Sequence, residues 1–445
     1  MRQTSPPYRW AERPREATRE ATRQAGPTDS LTHAPLLAYK THRVLFTNHK
    51  PIIQRCASDT GTKLRLRYAP WYLTAEAATG VNLVMNGRPV IMLASNEYLG
   101  LSRHPRVVAA TKAAVDEWGS SSCGSRPANG GRAYHLQLEE ALAAFLGVEA
   151  CHVLSAGFLA CMCGLSGLAR RGDIIVADPS IHACIWDGAQ LSTARIERFD
   201  HNSPESLATL LAQLDPAPAK LIAVDGVYSM EGHIAPLPQM ADLADKYRAA
   251  LIVDDAHGLG VLGREGRGTC DHHGVTDRVD LIAGSFSKSL ASIGGFVAGR
   301  RDVIEFLRTY ARQILFSAAL SPASAAAALA ALQVSQAEPE HRERLWTNVR
   351  YLRGIYDSLG VDYWQSPTPA LPIVVGDKEK CYRLWKSLLD QGFFTVMAIT
   401  PGVPPGKDLL RTAASASHTT EQLDRFGDAL KIALKKAGIK PRPAV

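Results

Sequence analysis

The feature that most restricts the fold is a series of six short apolar runs alternating with helical stretches between roughly Pro105 and Ala298. They are CHVL at Cys151, DIIVAD at Asp173, KLIAVD at Lys220, ALIVDD at Ala250, DLIAGS at Asp280 and GFVAG at Gly295. Each is apolar on both faces and bounded by Gly, Asp or Ser, so each needs cover on both sides. Such strands, separated by helices, form a mostly parallel sheet sandwiched between helical layers, an α/β fold. In an open sheet of this kind ligands sit beyond the carboxyl ends of the strands. The residues just after each run are therefore the ones to inspect.

Residues 1–45 are rich in Arg, Pro, Thr and Glu, carry the echo REATREATR from Arg15, and lack a core-forming pattern, which predicts a flexible extension. Residues 46–104 form an N-terminal segment in which two short strands around Asn86 to Arg88 make a hairpin. A large domain is expected over 105–330. An Ala-rich helical stretch then leads into a smaller C-terminal α/β domain over 331–445.

The net charge of +7 over 445 residues is small and forms no dense Lys/Arg run, which argues against nucleic-acid binding but suits an anionic substrate. No apolar run reaches the length of a membrane span and no secretory signal opens the chain, so a cytoplasmic protein without a transmembrane segment is expected. The eight cysteines show no CxxC pair, which predicts reduced and mostly buried thiols. Cys161 and Cys163 lie in a helix-like apolar stretch and read as core rather than metal ligands, and no metal site is expected.

Four places carry chemistry. Lys288, in DLIAGSFSKSLASIGGF, is one amine among small neutral residues after a buried strand. Desolvation favours the free amine and makes it nucleophilic, although a solvated loop lysine has the same spacing. Asp254 ends the strand of ALIVDDAHGLG; a buried carboxylate there needs a cationic partner such as a protonated pyridine, and a helix N-cap is the rival reading. In CHVLSAGFLACMCGL a strand passes through Gly157 and Phe158 into a helix, the arrangement of a phosphate site and also of many ordinary turns. His182, in DPSIHACIWDG, reads by itself as a structural histidine.

In this order the motifs resemble the α-oxoamine synthase family of fold-type I pyridoxal-phosphate (PLP) enzymes, most nearly its serine palmitoyltransferase branch. The matching stretches run from ASNEYLGL (Ala94), GSSSCGSR (Gly119) and HLQLEEALAAFLG (His135) through LSAGFLA (Leu154), IHACIWDG (Ile181) and DGVYSMEGHIAPL (Asp225). They continue with VDDAHGLG (Val253), GSFSKSLASIGGF (Gly284), ILFSAALSP (Ile314) and RERLWTN (Arg342). The resemblance implies a seven-stranded, mostly parallel sheet in the large domain.

It also implies that Lys288 forms a Schiff base with pyridoxal 5'-phosphate and removes the Cα proton, that Asp254 keeps the pyridine nitrogen protonated, that His257 binds the ring's phenolic oxygen, and that His182 stacks on the ring. Gly157, Phe158, Ser285 and Ser287 would hold the phosphate, with Ser317 reaching in from the other subunit of a homodimer that shares its active sites. Arg411 would meet the substrate carboxylate, and Asn96 and Ser229 would line the site.

The implied reaction is a decarboxylative condensation of an amino acid with an acyl thioester, giving an α-amino ketone. An aminotransferase, an aldolase or a non-catalytic partner subunit are the alternatives. Three departures stand out: Asp255 replaces Glu in VDEAH, Ser285 replaces Thr in GTF, and AITPGVPP replaces ARPPATP, placing Ile399 where relatives carry an arginine that swings toward the carboxylate. The last departure leads us to expect another amino acid, or an acyl chain delivered on an acyl carrier protein.

Overall fold

The structure is a computed structural model that describes residues 50–55, 70–400 and 402–441. The extension expected over 1–45 lies outside them, as does Cys56. The chain divides into two compact units, Met1–Glu76 with Met85–Arg88, and Ala77–Val84 with Pro89–Val445. Apart from the turn Met85–Arg88, the second carries everything described below.

Three short strands come first: β1 (Ala77–Thr79), β2 (Asn82–Met85) and β3 (Arg88–Met92). The connection between β2 and β3 is Asn86-Gly87 with φ of +50° and +68°, the left-handed pair that a two-residue hairpin turn requires.

The main sheet contains β4 (Ala150–Leu154), β5 (Ile174–Ala177), β6 (Arg195–Arg198), β7 (Lys220–Asp225), β8 (Ala250–Asp254), β9 (Leu281–Ser285) and β10 (Gly295–Gly299). Their order is β4-β10-β9-β8-β7-β5-β6. Strands β5 to β9 pair in parallel, and β10 runs antiparallel to both β9 and β4. All six apolar runs of the sequence are strands of this sheet. The seventh, β6, reads RIER and lies at the edge, where charged side chains reach water and the apolar signal is lost.

Strands β5, β7, β9 and β10, together with β4 at the edge opposite β6, are buried along their whole length. Each large aliphatic side chain hidden this way contributes about 1.5–3 kcal/mol of transfer free energy. The helix Gly157–Leu168 packs on β9 and β10, and the helix Arg301–Tyr310 packs on β4 and β10. Close seating explains the small residues: a Cβ on Gly295 would lie 2.6 Å from the Gly157 Cα. Strand and helix start therefore meet backbone to backbone.

Further along the chain come β11 (Ala370–Val374), β12 (Phe393–Phe394), β13 (Val396–Ala398) and β14 (Leu409–Ala413). A three-stranded antiparallel sheet β11-β14-β13 packs with the helix Lys378–Asp390, which in turn packs on the helix Thr420–Ala437. Strand β12 instead pairs in parallel with β3. No described helix is long and apolar enough to cross a membrane. The seven described cysteines are unpaired thiols, all buried except Cys123.

Candidate active site

Five strands of the main sheet end at one cavity of about 190 Å³. Its walls come from residues at or just after the carboxyl ends of β4 (Gly157, Phe158), β5 (His182, Cys184), β7 (Asp225, Val227, Ser229), β8 (Asp254, His257) and β9 (Ser285, Ser287, Lys288). Because parallel strands all point their carboxyl ends the same way, residues 157 to 288 are brought to one rim.

One end of the cavity is built for a cation. The Asp254 side chain is buried, and its Oδ1 accepts the Ala256 N–H at 3.0 Å while its Oδ2 meets the Cys184 thiol at 3.8 Å. Among the described residues no Lys, Arg or His pairs with it. A buried carboxylate without a counter-charge costs several kcal/mol, which a cationic ligand offsets. The neighbouring Asp225 accepts the His182 N–H at 3.3 Å, and burial, then the nearby Asp254 carboxylate, raises its carboxyl well above the usual range.

Another part of the lining is built for an anion. The helix Gly157–Leu168 starts on Ala156, which has no side chain able to cap it. Its first amides therefore stay available, and the helix dipole favours negative charge there. The Ser285 and Ser287 hydroxyls lie 2.7 Å apart on the same rim. A Cβ on Gly157 would sit 2.5 Å from the Ser285 Oγ, so only glycine lets the helix start and this hydroxyl face one space. A planar cation with a phosphate arm fits a pocket with an unpaired carboxylate in one part of its lining and open amides and hydroxyls in another. The donor set thus suits PLP, with the Lys288 amine on the same wall.

His257 lines the same cavity and is tuned by groups outside it. Its Nδ1 is 2.7 Å from the Tyr98 hydroxyl, which is 3.4 Å from the Arg411 Nη2. Arginine only donates, so the Tyr98 oxygen accepts from Arg411, which leaves its hydrogen free to go to Nδ1 in the tautomer that carries the ring proton on Nε2. Burial, then the charges of Lys288 and Arg411, hold the His257 pKa well below its usual value. The ring is therefore neutral with its proton on Nε2, ready to donate to a ligand oxygen. Arg411, on β14, is fixed by a 2.8 Å bond from its Nε to the Ser229 carbonyl.

His182 sits at the N-cap of the helix Ala183–Ser192, its Nδ1 2.8 Å from the Cys184 Sγ, and it meets the Phe158 ring edge-on at 6.2 Å between centroids. The Cys184 contact leads the effects that raise its pKa. Asp255 points away from the cavity: its carboxylate accepts from the Thr269 N–H and hydroxyl at 2.7 and 2.6 Å, tying down the loop that carries His257.

Of the residues singled out in the sequence, Gly157, Phe158, His182, Ser229, Asp254, His257, Ser285, Ser287 and Lys288 line this one cavity. Arg411 reaches it through Tyr98. Asn96 is half-buried with its Oδ1 unpartnered, and neither it nor Ser317 lines the cavity of this chain. Ile399 is buried at 7% exposure. Sequence reasoning missed Tyr98, Asp225, Cys161 and Cys184. Tyr98 stood inside ASNEYLGL but reads as an ordinary core aromatic, and the two thiols sit in apolar helical stretches.

The profile of the family described as Aminotransferase class I and II matches residues 88–430. The chain is 41% identical over 370 residues to a serine palmitoyltransferase of Sphingobacterium spiritivorum, covering 83% of this chain and 93% of that one. It belongs to the class I and II aminotransferase family, in its α-oxoamine synthase group. An 8-amino-7-oxononanoate synthase of Thermosipho melanesiensis is 40% identical over 366 residues, 82% of this chain and 94% of that one. A serine palmitoyltransferase of S. paucimobilis solved with a bound PLP–myriocin aldimine superposes with a TM-score of 0.84 at 34% identity, covering 87% of this chain and 98% of that one. The chain accordingly has the fold-type I architecture of PLP-dependent transferases and is a PLP-dependent acyltransferase of this group.

Proposed function

We propose that the chain condenses an amino acid with an acyl thioester, on coenzyme A or a carrier protein, releasing carbon dioxide and the free thiol and leaving an α-amino ketone. The observation that carries this is the shared cavity of Lys288 and Asp254, in which a buried carboxylate has no protein cation opposite it. PLP bound there supplies an electron sink for the pair of electrons left at the amino acid's α-carbon.

The chain's own groups do the rest. Asp254 would hold a proton at the ring nitrogen, and Lys288 would tether the cofactor and serve as the base for the Cα proton. Neutral His257 donates from Nε2 to the ring oxygen, and His182 covers the ring face. The Gly157 and Phe158 amides with the Ser285 and Ser287 hydroxyls hold the phosphate, and Ser317 of a second copy completes it in a homodimer. The Arg411 guanidinium, with Asn96 and Ser229, orients the amino-acid carboxylate; a planar fork suits that group.

Ile399 is apolar and buried, so this position brings no second cation to the carboxylate. A charge-assisted hydrogen bond is worth about 1.5–3 kcal/mol. The reading is therefore an amino acid other than serine, or a carrier-borne acyl chain that supplies binding energy elsewhere. The test combines borohydride reduction and peptide mapping with a screen of amino acids and thioesters by mass spectrometry. A label on Lys288 together with release of thiol and carbon dioxide is expected. A keto-acid product with no thioester consumed defeats the proposal, and exclusive use of serine with a coenzyme A thioester defeats its finer part.

A further inference from the structure

The condensation uses Asp254, His182 and Lys288, yet two cysteines occupy the same wall with no role in it. Cys161, on the helix Gly157–Leu168, and Cys184, on the helix Ala183–Ser192, both line the cavity although each is only 2% exposed. Their sulfurs and an Asp254 carboxylate oxygen all lie within 4.8 Å of one another. The Cys184 sulfur is also 2.8 Å from the His182 Nδ1. The two helices already touch next to this pair: a Cβ on Gly188 would lie 2.7 Å from the Met162 carbonyl oxygen.

We infer that Cys161 and Cys184 are a peroxide-reactive thiol pair whose disulfide closes the Asp254 end of the cavity to the cofactor; this rests on the cofactor placement proposed above. A disulfide needs its sulfurs about 2.05 Å apart. The bond therefore requires the two side chains to rotate toward each other from helices already in backbone contact. Cys184 is the attacking group. Its proton passes to His182 Nδ1, and the thiolate takes one peroxide oxygen, breaking the O–O bond; the leaving hydroxide takes the proton back from His182 and departs as one water. The Cys161 sulfur then attacks the resulting sulfenic sulfur, the S–S bond forms, and the sulfenic hydroxyl takes the Cys161 proton and leaves as a second water. In sum two thiols and one hydrogen peroxide give one disulfide and two waters. The hydrogen bond from Cys161, then the nearby His182, lower the Cys184 thiol below the usual range, which favours this order of attack.

Cys163, two residues along the same helix, is the internal control. It is buried, does not line the cavity, and burial pushes its thiol up to about 12. The hydrogen bond to Cys184, then burial, raises the Cys161 thiol as well, so what separates Cys161 from Cys163 is its place in the cavity wall beside the Cys184 sulfur.

The consequence falls on Asp254. Joined to Cys161, the Cys184 sulfur leaves its position between His182 and the carboxylate, and the linked sulfurs fill the space where a ring nitrogen would approach. Bound cofactor, in turn, covers both thiols. Oxidation and cofactor loading therefore exclude each other.

The test uses full-length protein, stripped of cofactor with hydroxylamine or loaded with PLP, treated with hydrogen peroxide and digested without reduction. Mass spectrometry of the cofactor-free sample should find a linked Cys161–Cys184 peptide, with Cys163 still a thiol and the linkage absent from the loaded sample. PLP affinity should fall at least tenfold after peroxide and return with a dithiol. In C161S and in C184S, PLP affinity should be the same before and after peroxide. Cofactor-free protein in which both thiols stay reduced, or oxidise without linking, overturns the proposal, as does a C184S protein that still loses PLP affinity. A disulfide that forms equally in the loaded protein upholds the thiol pair but overturns the cofactor placement at Asp254.

Discussion

Tyr98→Phe isolates the proton chain that reaches His257. The ring volume stays and only the hydroxyl goes, so no cavity of consequence opens. What is lost is the donor to the His257 Nδ1 at 2.7 Å and the acceptor for Arg411 at 3.4 Å. The second contact is long and contributes little. The first leaves a buried ring nitrogen without a partner, since His257 is only 9% exposed, and such an unmade bond costs about 1–3 kcal/mol. The variant should therefore lose about 1–3 kcal/mol in urea unfolding, seen as a lower midpoint with an unchanged slope. His257 is also freed to move its proton to Nδ1, which turns its Nε2 from donor to acceptor. PLP affinity should then fall about tenfold, corresponding to about 1.4 kcal/mol, as measured by equilibrium dialysis. A variant within twofold of the parent in affinity, and with the same urea midpoint, would refute the inferred hydrogen-bond direction and the donor role of His257.

Asp254→Asn removes a buried negative charge that has no protein cation beside it. Differential scanning calorimetry of the cofactor-free variant should show it at least as stable as the parent, while PLP binding drops at least tenfold; the opposite pair of results contradicts the electrostatic reading. Gly157→Ala places a methyl 2.5 Å from the Ser285 Oγ, which should weaken binding of inorganic phosphate and PLP alike, measured by calorimetric titration. Lys288→Ala should abolish the yellow colour and the borohydride label without altering the far-ultraviolet circular dichroism. His257 and His135 are both held below the usual imidazole pKa, by burial first in each case, with His135 at about 4. Below the unfolded value of about 6.5 the unfolded chain takes up protons that the folded state refuses, so stability should decline as pH falls from about 6.5 toward 4. Urea midpoints measured at half-unit steps check this, and a flat profile across that window contradicts it.

The apolar runs made most of the main sheet legible. Runs such as KLIAVD and DLIAGS have one reading because a strand covered on both faces has no polar face to write. β6 escaped because its edge is open to water, so RIER carries charge; the other edge strand, β4, is covered by the helices Ala133–Leu146 and Arg301–Tyr310 and stays apolar. The reversed direction of β10 escaped as well: GFVAG is apolar whichever way it runs, and direction is fixed by which neighbours it bonds.

The same division holds at the site. Lys288, Asp254 and Gly157 could be nominated from the chain because each ends or follows a strand, and parallel strands gather their carboxyl ends; His182 read as a structural histidine until the family resemblance gave it a role. Tyr98 and Arg411 stand 313 positions apart, and only the folded chain brings them into one proton chain with His257. Cys161 and Cys184 likewise looked like helix core until two helices placed both sulfurs beside Asp254. Local sequence settled which segments must be buried and where ligands would gather, since hydrophobic burial and strand polarity act along the chain. The tuning of the site was decided by tertiary structure, because hydrogen-bond direction, desolvation and thiol pairing depend on neighbours distant in sequence.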